Sequence, residues 1–255
     1  MNTKMKVLSL ALVGLCGFAG SAFAACPAGP TTADGGAWTT ASQLPSAAGS
    51  PLAIVPGGLD GSECKLTAAL QANSTSAASF VRYAHAASEP KYRFQFLVDT
   101  TNLTGFSASA NVALLTAPSS AVANGFNRLL RVTLVPGGAA GTHRVRFIAQ
   151  TGAGSFSVGQ TSPTDLTPGV HRVEGNLVVG AGATGQLTYW IDAGAGTTEP
   201  AFTGQLTNLA NDAWGGVSAV TLGLSAPAVA YVSTHGGEVV GFDAFDSRRN
   251  TYIGH

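Results

Sequence analysis

Lys91-Tyr92-Arg93-Phe94-Gln95-Phe96-Leu97-Val98-Asp99 sets rings and a branched side chain at every second position, with polar residues between them. Successive strand side chains point to opposite faces, so Tyr92, Phe94, Phe96 and Val98 share one face while Lys91, Arg93 and Gln95 share the other. The stretch predicts a β-strand with one dry and one wet face.

The same period recurs on both sides of it. Residues 52–55, 64–70, 79–85, 107–116, 129–135, 143–150, 170–179, 186–192, 217–224 and 238–246 read as further strands. Pro136-Gly137-Gly138-Ala139-Ala140-Gly141 separates two of these runs and predicts a hairpin; residues 180–185 predict a second. No segment carries a persuasive helical period. About ten to twelve strands are too many for a seven-strand immunoglobulin sandwich and suit an all-β, two-sheet antiparallel jelly roll. Charged residues make up only 10% of the chain and glycine 33 of 255, as glycine-rich turns between short strands require. An outer-membrane barrel also alternates, but the aromatic residues here form no paired girdles and the last residues are Ile253-Gly254-His255.

Residues 1–24 read as a secretory signal. Lys4 and Lys6 precede an apolar run at 7–19, and Ala22-Phe23-Ala24 is a small-x-small cleavage site. The apolar run is too short to span a bilayer, and no second run of about 18 apolar residues follows. Residues 25–61 form a Gly/Pro/Ser-rich arm with edge strands, and residues 62–255 form the sandwich, arm and sandwich making one domain. The expected location is secreted or periplasmic. Without its two signal lysines the chain keeps 11 basic residues against 13 acidic, a net charge near −2. That balance argues against nucleic acid or an anionic membrane surface as partner.

Cys16 leaves with the signal, so Cys26 and Cys64 are expected to pair in an oxidising compartment. The bridge would close a loop of roughly 40 residues, worth about 4 kcal/mol in the chain-entropy model. Phe23-Ala24-Ala25-Cys26 also loosely resembles a lipobox, and lipidation of Cys26 is the alternative.

Gly169-Val170-His171-Arg172-Val173-Glu174, followed by Gly185-Gln186-Leu187-Thr188-Tyr189-Trp190-Ile191-Asp192, resembles the paired strands of laminin-G-like domains. Ala193 stands where that family usually has glycine, and Gly194 comes one later. Val220-Thr221-Leu222-Gly223 and the run from Gly241 to Arg249 resemble the closing strands. The resemblance covers residues 80–254 and implies the concanavalin A-like lectin/glucanase superfamily. That superfamily holds lectins and polysaccharide-cleaving enzymes alike, so fold alone decides no function.

Catalysis in the hydrolase branch needs two carboxylates facing each other. Glu-x-Asp-x-x-Glu does not occur, and the odd spacing of Asp243 and Asp246 predicts opposite faces. The lyase branch needs a tyrosine, a histidine and an arginine converging on one sheet, and Tyr92, Arg93, His171 and Arg172 are scattered pieces of such a set. No Gly-x-Ser-x-Gly and no zinc motif occurs. The expectation is a non-catalytic module binding an extracellular glycan or protein. A polysaccharide hydrolase or lyase with an atypical site and a structural envelope protein are the alternatives. The expected ligand-binding residues are Trp214 with Asn211 and Asp212, in a turn-rich loop, and Trp38 in the arm. Each Trp either offers a sugar platform or closes an end of the sandwich. Asp99, Asn102, Asp192 and Asp243 fall at strand ends, where they either cap turns or offer oxygens to calcium. No other cofactor is expected.

Overall fold

A computed structural model describes residues 25–119, 128–139, 142–153, 157–194, 196, 198–249 and 251–253. The proposed signal, residues 1–24, lies outside the described residues.

Among these, the strands are β1 (Thr40–Leu44), β2 (Leu52–Pro56), β3 (Cys64–Ala68), β4 (Ala78–Glu89), β5 (Lys91–Asp99), β6 (Val112–Pro118), β7 (Arg128–Pro136), β8 (His143–Gln150), β9 (Val158–Gln160), β10 (Thr164–Leu166), β11 (Val170–Val178), β12 (Gly185–Ile191), β13 (Gly204–Leu209), β14 (Val217–Ser225) and β15 (Val240–Arg248). One short helix, α1 (Val229–Thr234), precedes β15. The strands form two antiparallel sheets. One has eight strands in the order β1-β4-β14-β6-β7-β8-β10, with β9 also on β8. The other has seven, in the order β13-β12-β11-β5-β15-β3-β2. The fold is a jelly-roll sandwich, and β7–β8 and β11–β12 are the two expected hairpins.

The inner faces follow the alternation. Tyr92, Phe94, Phe96 and Val98 of β5 meet Leu130, Val132, Val145 and Phe147 of the opposing sheet in one core. Phe147 stacks on Tyr189 of β12 at 4.4 Å between ring centres. Gly175 in β11 is needed for this packing. A β-carbon there would lie 2.5 Å from the Phe94 ring, so only glycine lets that ring close over the strand.

Three features depart from the sequence expectations. The strand count exceeds twelve, because three- to six-residue edge pieces (β9, β10, β13) are too short to show a period. The second face of β5 is not wet: Arg93 and Gln95 are only 2% and 4% exposed. The third departure is in β15. Its ladder to β5 slips between Asp243 and Asp246, and Ala244 takes the left-handed φ of 47°. Asp243 pairs with Leu97 and Asp246 with Gln95, two positions of one face. The bulge therefore inserts one residue and puts both aspartates on the same side, where uninterrupted alternation would separate them.

Cys26 and Cys64 are disulfide-bonded, so the Cys26 sulfur is committed to the bridge. The bond ties the arm to β3. The arm supplies β1 to the edge of one sheet and β2 to the edge of the other.

Candidate functional site

The outer face of the eight-stranded sheet is cationic. Leu130, Val132 and Leu134 of β7 point into the core, which turns Arg131 outward. Val145, Phe147 and Ala149 do the same for Arg144 and Arg146 of β8, and Val81 does it for Arg82 of β4. Residues opposite each other across a ladder share a face. Arg82 stands opposite Thr221, Thr221 opposite Thr116, Thr116 opposite Arg131, and Arg131 opposite Ile148. One row of side chains thus crosses five strands with an arginine near each end. The Thr116 and Thr221 hydroxyls bond each other at 2.5 Å in its middle.

Carboxylates are nearly absent from this sheet. Its strands hold Asp165, on edge strand β10, and Glu89, the last residue of β4. Asp165 lies 3.9 Å from Arg144, which also donates to the Pro136 carbonyl at 2.7 Å. Arg146 donates to the Gln160 side chain at 2.9 Å. Neither Arg128 nor Arg131 has an ion pair or side-chain hydrogen bond with a described residue. Burial lowers the pKa of both, and the charge of Arg128 lowers that of Arg131 further. The fold holds a half-buried arginine beside another with no counterion among the described residues. Such an arrangement costs stability and suits an incoming anion.

The outer face of the seven-stranded sheet is polar and partly self-paired, with Arg93 Nη2 and Gln95 Oε1 buried without a hydrogen-bond partner among the described residues. Arg93 Nε donates to Glu174 at 2.5 Å, and its Nη1 donates to Glu199 at 2.8 Å. Its guanidinium lies 4.4 Å from the Trp190 ring centre and 5.0 Å from that of Tyr252. Burial raises the Glu174 pKa, and the Arg93 hydrogen bond and charge oppose that rise. This buried pair is capped by two rings and a loop carboxylate.

A cleft of about 650 Å³ opens where β4 runs past the core. Val81 of β4 is in the core, while Tyr83 and His85, on the same side of the strand, project beyond it. The rings of Tyr83, His85 and Tyr92 follow one another at 5.5 and 5.2 Å. Trp38 of the arm packs on Phe245 of the β15 bulge at 4.9 Å and forms the opposite wall. Burial lowers the His85 pKa, partly offset by Glu89, and raises that of Tyr92.

The expected site residues are dispersed. Trp214 is fully buried and donates through Nε1 to the Gly152 carbonyl at 2.8 Å. It has no free ring face for a sugar, because the loop carrying it folds onto the end of β8. Asn211 is also buried, donating to the Gln150 carbonyl and accepting from Gly180 N–H. Asp212 beside them is exposed. Trp38 is the expected ligand-binding residue that lines the cleft. Tyr92 and His171 point inward while Arg93 and Arg172 point outward, so the four do not converge. His171 bonds Asp192 at 2.7 Å and the Thr167 carbonyl at 2.6 Å. Asp99 accepts from Thr101 N–H, Asp192 from Arg172 N–H, and Asp243 from Leu59 N–H and the Ser62 hydroxyl. Among the described residues, no three His, Cys, Asp or Glu side chains come together in a geometry for a metal ion. The arginine row escaped the sequence reading because its members come from strands far apart in the chain.

The sandwich is one that polysaccharide lyases also use. An endo-β-1,4-glucuronan lyase from the fungus Trichoderma reesei superposes with a TM-score of 0.60 at 12% identity, covering 88% of this chain and 94% of that one. The alginate lyase Aly36B superposes with a TM-score of 0.54 at 14% identity, covering 84% and 87%. At such identity the likeness establishes the fold. No protein-family model and no curated protein sequence matches the chain.

Proposed function

We propose that this protein is an exported, non-catalytic β-sandwich that binds an anionic polysaccharide across the outer face of its eight-stranded sheet. The arginine row carries the reading. Arg82, Arg131, Arg144 and Arg146 stand on one face nearly free of carboxylates, with Arg128 beside Arg131. A polyuronate presents carboxylates at regular spacing, and guanidinium groups recognise carboxylates through paired donors. The threonine pair between Arg82 and Arg131 is buried and bonded to itself, so recognition falls to the arginines. The similar solved structures are named as enzymes of glucuronan and alginate, both polyuronates, which supports that ligand class. The signal-like first 24 residues and the disulfide support export.

Binding without cleavage is favoured because, among the described residues, this face has arginines but no acid–base partner. A lyase needs a base at the sugar carbon and an acid at the leaving oxygen. His143 of β8 shares the inward side with Val145, and Tyr83 of β4 shares it with Val81. Neither reaches the arginine row. The fold likeness to lyases favours the second reading, cleavage. One experiment reads both: calorimetry of the disulfide-intact protein with polygalacturonate, alginate and a neutral glucan, followed by assay for unsaturated uronate ends. Salt-sensitive binding to the polyuronates alone, without new ends, is the expected result. Equal binding to the neutral glucan overturns the proposed ligand class, and unsaturated ends overturn the non-catalytic reading.

A further inference from the structure

The cleft beneath the arm is separate from the arginine face, and its chemistry is different. Its charged lining sums to zero: Lys65, Arg248 and Arg249 against Glu89, Asp243 and Asp246. Each cation already has a partner. Arg248 holds Asp246 at 2.8 Å, Arg249 holds Glu89 at 2.6 Å, and Lys65 lies 3.6 Å from Asp99. An anionic ligand would meet carboxylates without a free cation, and a cationic ligand would meet the paired arginines. The uncharged lining is aromatic, with Trp38, Phe245 and the Tyr83 ring, which is 45% exposed. The His85 Nε2 is buried without a hydrogen-bond partner among the described residues, on the side where Tyr83 and Tyr92 line the cleft.

From this charge balance, the flat rings and the unpartnered imidazole nitrogen, we infer that the cleft is a second carbohydrate site, taking a neutral sugar ring. The flat apolar faces of Tyr83 and Trp38 match the C–H face of a pyranose. The ring's hydroxyls donate to the cleft carboxylates and pair with the His85 imidazole, a polar group that burial has stripped of water. The arm forms one wall, held by the Cys26–Cys64 bond at the cleft's edge. This inference does not rest on the polyuronate reading, since it uses other residues and another ligand class.

The test is calorimetric titration of the mature, disulfide-intact protein with cellotetraose, xylotetraose and mannotetraose, and with trigalacturonate as the charged counterpart. Saturable binding of at least one neutral oligosaccharide is expected. Tyr83→Ala should weaken it about tenfold or more, and Arg131→Gln should leave it unchanged. The Tyr83 ring is exposed, so an unchanged melting curve verifies that its removal spares the fold; Trp38→Phe provides a second variant. The inference is overturned by three results: no neutral oligosaccharide binds, binding survives both variants, or trigalacturonate binds the cleft as tightly as the neutral sugars. Failure of polyuronate binding in the same protein would leave this site standing, and the converse holds.

Discussion

Arg131→Gln separates a binding role from a structural one, because the two predict opposite signs of stability change. Arg131 is half-buried between Thr116 and Ile148, and the nearby charge lowering its pKa is another arginine. Glutamine removes the buried charge and the repulsion and keeps most of the side-chain stem. The variant should therefore melt higher, by a few tenths of a kcal/mol or about 1–2 °C for a domain of this size. Binding should move the other way. A hydrogen bond to a charged group contributes about 1.5–3 kcal/mol and an exposed ion pair about 0.2–1 kcal/mol. A half-buried arginine falls between these limits, so polyuronate binding should weaken by about 1–2 kcal/mol, roughly 5- to 30-fold in Kd. The difference should shrink as salt rises, since screening acts on the rim arginines as well. Calorimetric Kd values at low and high salt, with thermal melts of both proteins, read these effects. A lower melting temperature with unchanged Kd would refute the reasoning, because it would mean that Arg131 has a structural partner.

Trp214→Ala should destabilise by about 3–5 kcal/mol, because it empties a fully buried ring site and leaves the Gly152 carbonyl without its donor; chemical denaturation measures it. Replacing Cys26 and Cys64 together by serine should remove about 3–4 kcal/mol, given their separation of 38 residues, and weaken sugar binding in the cleft. A variant as stable as the parent would show that the arm holds without the bridge. Stability should also depend on pH through His143. Burial, then the charges of His235 and His171, lower its pKa below the ordinary 6.5. The unfolded chain binds this proton as pH falls through 6.5 while the native state resists, so stability is full above that pH and is lost below it. The lowered pKa of His85 acts in the same direction. Melting temperatures should fall between about pH 7 and pH 5, and His143→Gln should flatten part of that slope. A flat parental profile would count against the assignment.

Glu174→Gln tests the other sheet. It leaves the buried Arg93 guanidinium with Glu199 as its remaining carboxylate partner, so a loss of about 3 kcal/mol is expected in denaturant unfolding, with polyuronate affinity unchanged.

Reading the site from sequence failed at specific residues. Trp214 sits among Asn, Asp and Gly, a composition that marks an exposed loop. The loop nevertheless folds over β8, and a buried ring with its N–H satisfied is lower in free energy than an exposed one. Strict alternation places Asp243 and Asp246 on opposite faces. A single residue in a left-handed conformation, Ala244, brings them to one face, and no sequence period records a bulge of this kind. Arg93 looked solvated because polar residues usually mark the wet face. Its burial depends on Glu199 and Tyr252, which lie far along the chain from it.

Local features of this protein are legible in its sequence. Period-two alternation gave the long strands and their inner faces, glycine-rich turns gave the two hairpins, and cysteine arithmetic gave the Cys26–Cys64 bridge. These features depend on near neighbours in the chain or on simple counting. Which strands stand side by side, and so which side chains form the two proposed sugar-binding surfaces, follows from the three-dimensional packing. Arg82, Arg131 and Thr221 become one row, and Trp38 meets Phe245 across a cleft, through contacts between segments as much as about two hundred residues apart. Long-range order among strands is set by how all inner faces fill one core together. A surface assembled on the reverse of those faces therefore has no signature in any single stretch of sequence.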